Sequence, residues 1–252
     1  MENMKKDTEA RISPAADHQN SIVGANYRAT DLIPTKILRK WLIIFPIIIV
    51  ILGCLREWLL LAYGVQGTSI LSLNREQNVG AWYSTLLIFS CAFLLMVAGR
   101  RASQERNRDA RYWYILAIVF VALSFDEASS VHEMLMDVLQ PALQTSGPLL
   151  YAWVVPALVL VPVFGFLYIP FLRRLRKPYG LWFFGSGAVF VAGALGMEMI
   201  GGMFEDNEVA FTLSFLVEES LELAGMTSFF LAVMGYLTTE KTDQLSGTEE
   251  TL

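Results

Sequence analysis

The sequence predicts an all-α polytopic membrane protein, a bundle of six transmembrane helices. Three observations carry that expectation. Hydrophobic residues make up 54% of the 252, and the mean hydropathy of +0.46 lies above that of ordinary soluble domains. Six apolar runs reach the roughly 20 residues needed to cross a ~30 Å hydrocarbon layer. Basic residues, finally, gather in every other connection between those runs, as they do where loops alternate between the two sides of a membrane.

The first 35 residues are polar and contain no short apolar core of a cleavable signal, so residues 1–35 are expected to form a disordered cytosolic tail. The six-helix transmembrane domain is expected over residues 36–238. Its first span runs from about Leu38 to Ala62, preceded by Lys36, Arg39 and Lys40; it carries Pro46 and, late in its course, Arg56 and Glu57. The second span, about Ala81 to Gly99, leads into the basic connection "RRASQERNRDAR". The third is expected from Tyr112 to about Asp137 as one unbroken helix, because neither proline nor glycine occurs in "SFDEASSVHEMLMD" before Pro141.

The fourth span, about Leu149 to Leu172, contains Pro156, Pro162 and Pro170, tolerable in a bundle whose neighbours satisfy the freed carbonyls, and it ends in "RRLRK". In the fifth, Gly180 to Met203, the glycines Gly185, Gly187, Gly193 and Gly196 are expected to admit a neighbouring helix closely. The sixth runs from Val209 to Leu237, and residues 239–252 form a second polar tail without a targeting signal, also expected to be disordered and cytosolic. The remaining connections are poor in basic residues: Arg75 alone in residues 64–78, none in 140–148 and none in 205–208. Both termini are therefore expected to be cytoplasmic in a plasma (inner) membrane, with these three loops outside. Trp41, Trp82, Tyr112, Trp113, Tyr114, Trp153 and Trp182 fall near span ends and read as interfacial anchors.

A net charge of −5 offers no basic surface for nucleic acid, so the expected partner is the lipid bilayer. Cys54 and Cys91 lie in different spans and read as packing residues.

The charges inside the spans point to chemistry. Nine carboxylates, Glu57, Asp126, Glu127, Glu133, Asp137, Glu198, Glu218, Glu219 and Glu222, stand there against one arginine, Arg56, and one histidine, His132. Each would cost roughly 2.5 to 3.5 kcal/mol at the bilayer centre unless turned to a polar interior. At ~1.5 Å per residue the acids cluster in the outer half: Asp126 lies roughly 21 Å into an outward-running helix, and Glu222 roughly 20 Å into an inward-running one. The opposite halves, such as "YWYILAIVFVAL" and "MTSFFLAVMGY", have no ionisable residue other than tyrosine.

On an unbroken third helix Asp126, Ser130, Glu133 and Asp137 would share one face, and Glu218 and Glu222 share a face of the sixth at i, i+4. Carboxylates so close are balanced by bound protons, a counter-ion or a shared cation. The expected site is therefore an acidic layer binding a divalent metal (Zn, Mn, Fe or Ca), with Asp126, Glu127, His132, Glu133, Glu198, Glu218, Glu219 and Glu222 as candidate ligands and Arg56 as counter-ion.

Two functions follow from such a site. One is a metal-dependent membrane hydrolase in which Glu127 or Glu219 is the catalytic base toward metal-bound water, its small-molecule or lipid substrate unspecified. The other is a proton- or cation-coupled transporter or channel using the same acids, for which "SFDEASS" and "SFLVEES", at equivalent places in the two halves, hint at an inverted repeat. A non-catalytic sensor or assembly subunit is a third possibility. The single histidine in position excludes the histidine sets of ceramidase-type hydrolases and membrane desaturases.

Overall fold

A computed structural model describes residues 35–75 and 77–249, with side chains described for 36–75 and 77–239. The chain divides into two compact units, residues 1–41 and 42–252. Of the first, only residues 35–41, the opening turns of α1, are described. The expected N-terminal tail otherwise lies outside the described residues, as do residues 250–252 of the expected C-terminal tail.

The helices are α1 (Thr35–Tyr63), α2 (Val79–Gln104), α3 (Ala110–Ser129), α4 (Val131–Leu143), α5 (Val154–Arg174), α6 (Tyr179–Val191), α7 (Glu198–Met203) and α8 (Glu208–Glu249). Short 3-10 turns sit at Ser69–Leu71 and Gly147–Leu149, and a π-helical turn, Ala192–Met197, joins α6 to α7. No strand occurs among the described residues. Six stretches are long and apolar enough to cross a membrane: 36–63, 79–104, 110–129, 154–174, 179–203 and 208–239. The protein is a helical membrane bundle.

Its apolar surface faces outward as well as inward. Leu181, Phe166, Phe93 and Ile118 are each more than 60% exposed, apolar surface that suits acyl chains and not water. Inside, α2 packs along α3 and α6 along α8. The interior is aromatic toward the end that carries the basic loops. Trp113 is 1% exposed and meets Phe171 and Phe183 edge-on, at 5.0 and 5.8 Å between ring centroids. Phe120 stacks on Phe229 at 4.7 Å. Trp113 is thus a core residue where the sequence suggested an interfacial anchor, whereas Trp41, Trp82 and Trp182 are exposed. At that same end Asp109 accepts from Arg174 Nε at 3.0 Å and from its Nη2 at 2.6 Å, which ties the α2–α3 connection to the end of α5. Of the cysteines, Cys91 is fully buried in this core and Cys54 is exposed on α1.

Two departures from the sequence reading matter for the site. The third helix is broken. Ser130 adopts the left-handed conformation (φ 50°, ψ 44°), closing α3 and opening α4. Of Gly185, Gly187, Gly193 and Gly196, only Gly193 meets another helix: a Cβ there would lie 2.9 Å from the Glu218 carbonyl oxygen and from Glu222 Cγ. A Cβ at Gly185, Gly187 or Gly196 would have nothing within 4 Å. The matching close approach on α8 is at Gly225, where a Cβ would lie 2.6 Å from Phe190 N. The sixth-span helix also continues in backbone to Glu249, past residue 239 where the sequence reading begins a tail.

Candidate acidic site

The break at Ser130 is built by Asp126. Its backbone carbonyl accepts from Ser130 N–H at 2.7 Å, and its carboxylate turns back on the first turn of α4. There Oδ1 accepts from His132 N–H at 2.8 Å and Oδ2 lies 2.9 Å from His132 Nδ1. A helix opens with backbone N–H groups that have no intrahelical partner, and a carboxylate at that end satisfies them and suits the helix dipole. Asp126 therefore caps a new helix, and a left-handed serine, costing on the order of 1–2 kcal/mol, is the hinge that lets it do so. With the helix broken, the expected ridge of Asp126, Ser130, Glu133 and Asp137 does not form.

The fifth span changes pitch next to an acid as well. The π-helical turn Ala192–Met197 delivers Glu198 at the first position of α7, and π turns inside helices are frequent at functional sites. Trp153, just before α5, donates its indole N–H to Glu198 Oε1 at 3.2 Å, and its ring lies 5.2 Å from that of His132. Trp153 is thereby part of the site and not only an anchor.

These elements close round one cavity of about 150 Å³. Its walls carry Glu127 from α3, His132 and Glu133 from α4, Glu198 from α7, and Glu218, Glu219 and Glu222 from α8, with Tyr151 between α4 and α5. Seven of the eight expected ligands are thus brought together. Glu198 and Glu218 both line the cavity, and Gly193 lets α8 approach closely enough to place Glu218 and Glu222 against the fifth span. Glu133 is exposed, which puts it at the rim. Tyr151, outside the spans, has its phenol pushed up to about 12 by burial first and then by the negative charge of Glu198 and Glu218, so it stays a neutral hydrogen-bonding group.

Two expected site residues are elsewhere. Asp126 is occupied by His132 and does not line the cavity. Arg56, expected as counter-ion of the acidic layer, pairs with its neighbour: Nη1 lies 2.5 Å from Glu57 Oε2, and the other oxygen of Glu57 accepts from Ser72 Oγ at 2.8 Å. Among the described residues, no three His, Cys, Asp or Glu side chains have the spacing to hold a metal ion directly. The carboxylates surround the cavity and do not converge on one point.

Sequence reasoning missed Arg75, Tyr151 and Trp153, all of which belong to or border the site. Arg75 carried the one available signal, as the lone basic residue in its loop.

The class so defined is a multipass helical membrane protein with an acidic cavity at the end opposite its basic loops. The chain belongs to the family described as a domain of unknown function, DUF8692, whose model matches residues 41–237 and so takes in all six spans except residues 36–40 of the first and 238–239 of the sixth. No curated protein and no solved structure matches the chain.

Proposed function

We propose that this protein binds a divalent cation, such as Ca²⁺ or Mn²⁺, in the acidic cavity, which opens to the outer side of the plasma membrane with both termini cytoplasmic. The observation that carries the reading is the gathering of Glu127, Glu133, Glu198, Glu218, Glu219 and Glu222, from four helices, around one space of about 150 Å³. A water molecule takes about 30 Å³ of liquid, so that space suits an ion with part of its hydration shell. It is smaller than the 300–1,000 Å³ usual for drug-sized ligands. Carboxylates spread round the walls fit an ion held partly through water, with oxygen ligands as hard cations prefer. Glu198 and Glu218 line the same cavity, and a cation there balances their like charges.

A second reading, ion or proton passage, is favoured by the two helix interruptions at Ser130 and at Ala192–Met197, each next in sequence to a helix that lines the cavity. Discontinuous helices are a recurrent means of placing ion sites in transporters. The hydrolytic reading uses the same cavity, with Glu127 or Glu219 as base toward a metal-bound water.

The test is calorimetric titration of Ca²⁺, Mn²⁺ and Zn²⁺ into protein reconstituted in nanodiscs, beside Glu198→Gln and Glu219→Gln. Saturable binding weakened about tenfold or more in both variants supports the proposal. Absence of binding by all three ions, with acid-dependent proton uptake into vesicles, transfers the assignment to transport; cleavage of bilayer lipid dependent on Glu127 transfers it to hydrolysis.

A further inference from the structure

The loop between α1 and α2 is held against the bundle at three points. Ser72 and Leu73 are 2% and 3% exposed, and Ser72 Oγ donates to the buried Glu57. The Leu73 side chain fills notches left by two glycines: a Cβ at Gly53 or Gly80 would come within 2.6 or 3.0 Å of its carbons. Asn78 caps α2, its side-chain oxygen accepting from Ala81 N–H at 2.8 Å, while its amide donates to the Arg75 carbonyl. Ser72 and Leu73 on one side of Arg75 and Asn78 on the other are therefore anchored. Leu73, Asn74 and Arg75 form a wall of the acidic cavity, with Arg75 exposed at the mouth. Among the described residues lining that cavity Arg75 is the one permanent cation, since a guanidinium does not lose its proton in proteins.

We propose that Arg75 is a tethered counter-ion guarding the mouth of the acidic cavity, so that a cation entering from solution competes with it. The inference rests on the cation-binding reading above and adds what sets affinity there. An arginine in a flexible loop would leave the acids little affected, whereas one whose backbone is pinned on both sides adds a standing positive potential at the entrance. That potential lowers the affinity and entry rate of any cation, and because the mouth is exposed, salt screens it.

The experiment compares Arg75→Gln and Arg75→Lys with the parent protein in nanodiscs, using Ca²⁺ and Mn²⁺ as probes at low and high ionic strength. Arg75→Gln is expected to tighten binding about three- to tenfold at low salt, with the gain collapsing at ~0.5 M, where the Debye length falls to a few ångströms. Arg75→Lys keeps the charge and stays near the parent. Unchanged or weaker binding in Arg75→Gln at low salt overturns the proposal, as does a gain undiminished by salt. If neither ion binds to any form, the cation-binding reading fails and Arg75 is tested by thermal unfolding instead. Removing a counter-ion should lower the melting temperature, and the loss should shrink when Glu219→Gln or Glu222→Gln is added. Strictly additive losses overturn the inference on that arm.

Discussion

Replacing Gly193 by alanine tests how the cavity is assembled. A Cβ at this position would lie 2.9 Å from the Glu218 carbonyl oxygen and from Glu222 Cγ, and 3.1 Å from Glu222 N. Ordinary contact begins at 3.4 Å, so the shortfall is 3.4 − 2.9 = 0.5 Å. Glu222 Cγ can swing aside, but the backbone atoms of α8 cannot, and the two helices must part by several tenths of an ångström. Overpacking of this kind costs about 1–3 kcal/mol, and alanine recovers up to about 1 kcal/mol through its better helix propensity, which leaves a net loss of roughly 0–3 kcal/mol. Gly185 is the control, on the same span, exposed, with nothing within 4 Å of its added Cβ. There only the propensity gain of up to about 1 kcal/mol remains. Thermal unfolding in one detergent should rank Gly185→Ala at or above the parent and Gly193→Ala below it. Gly193→Ala should also weaken cation binding, because the adjustment moves Glu218 and Glu222. Equal melting temperatures for the two variants, or the reverse order, would refute the packing argument.

Asp126→Asn and Asp126→Ala should both loosen the start of α4, alanine more, since it can accept nothing; loss of a cap typically costs ~1 kcal/mol, and faster amide hydrogen exchange at residues 131–134 is the readout. Trp153→Phe keeps a ring beside His132 but removes the donor to Glu198 Oε1; cation affinity should change several-fold while the melting temperature moves little, and binding identical to the parent would remove Trp153 from the site. Tyr151, whose phenol is pushed up to about 12 by burial and neighbouring acids, should still be protonated near pH 11, when tyrosines with ordinary values of ~10 have ionised. Because its folded-state value lies above the unfolded one, its contribution to stability is complete below pH ~10 and is lost as pH rises from ~10 toward ~12. An ultraviolet titration of Tyr151→Phe against the parent should therefore differ only above pH ~11.

The spans were legible because hydropathy over some 20 residues is a sum, insensitive to any single side chain, and because a bilayer leaves a backbone few alternatives. The gathering of Glu127, His132, Glu133, Glu198 and the three α8 glutamates was legible for a related reason: acids so deep in apolar sequence have few places to go. The break at Ser130 was not. Proline and glycine are the usual punctuation, and here the helix ends because a carboxylate four residues earlier has a better use capping the next one, a preference that emerges only once Asp126 and His132 stand in space. Arg56 lies within the charged layer by depth, and its immediate neighbour Glu57, itself one of the layer's acids, pairs with it. Trp113 sits near a span end in sequence, yet α5, α6 and α8 close over it.

The two ends of the bundle divide the work. Toward the basic loops the interior is made of close aromatic contacts and a bidentate Arg174–Asp109 pair, all of which favour the folded state. Toward the cavity, the local choices run against stability: a serine in the left-handed region, a helix that widens into a π turn, a glycine at a helix contact, and carboxylates facing one another. Local departures of this sort persist only when the surrounding structure enforces them, and they concentrate where function requires a particular geometry. Here each departure serves one of the cavity's walls: the serine opens α4, which carries His132 and Glu133, the π turn delivers Glu198, and Gly193 admits Glu218 and Glu222. Relieving the strain at Ser130 or in the π turn should therefore gain or spare stability at the expense of the acidic site, whereas disturbing the aromatic end should unfold the protein before it alters what the cavity binds.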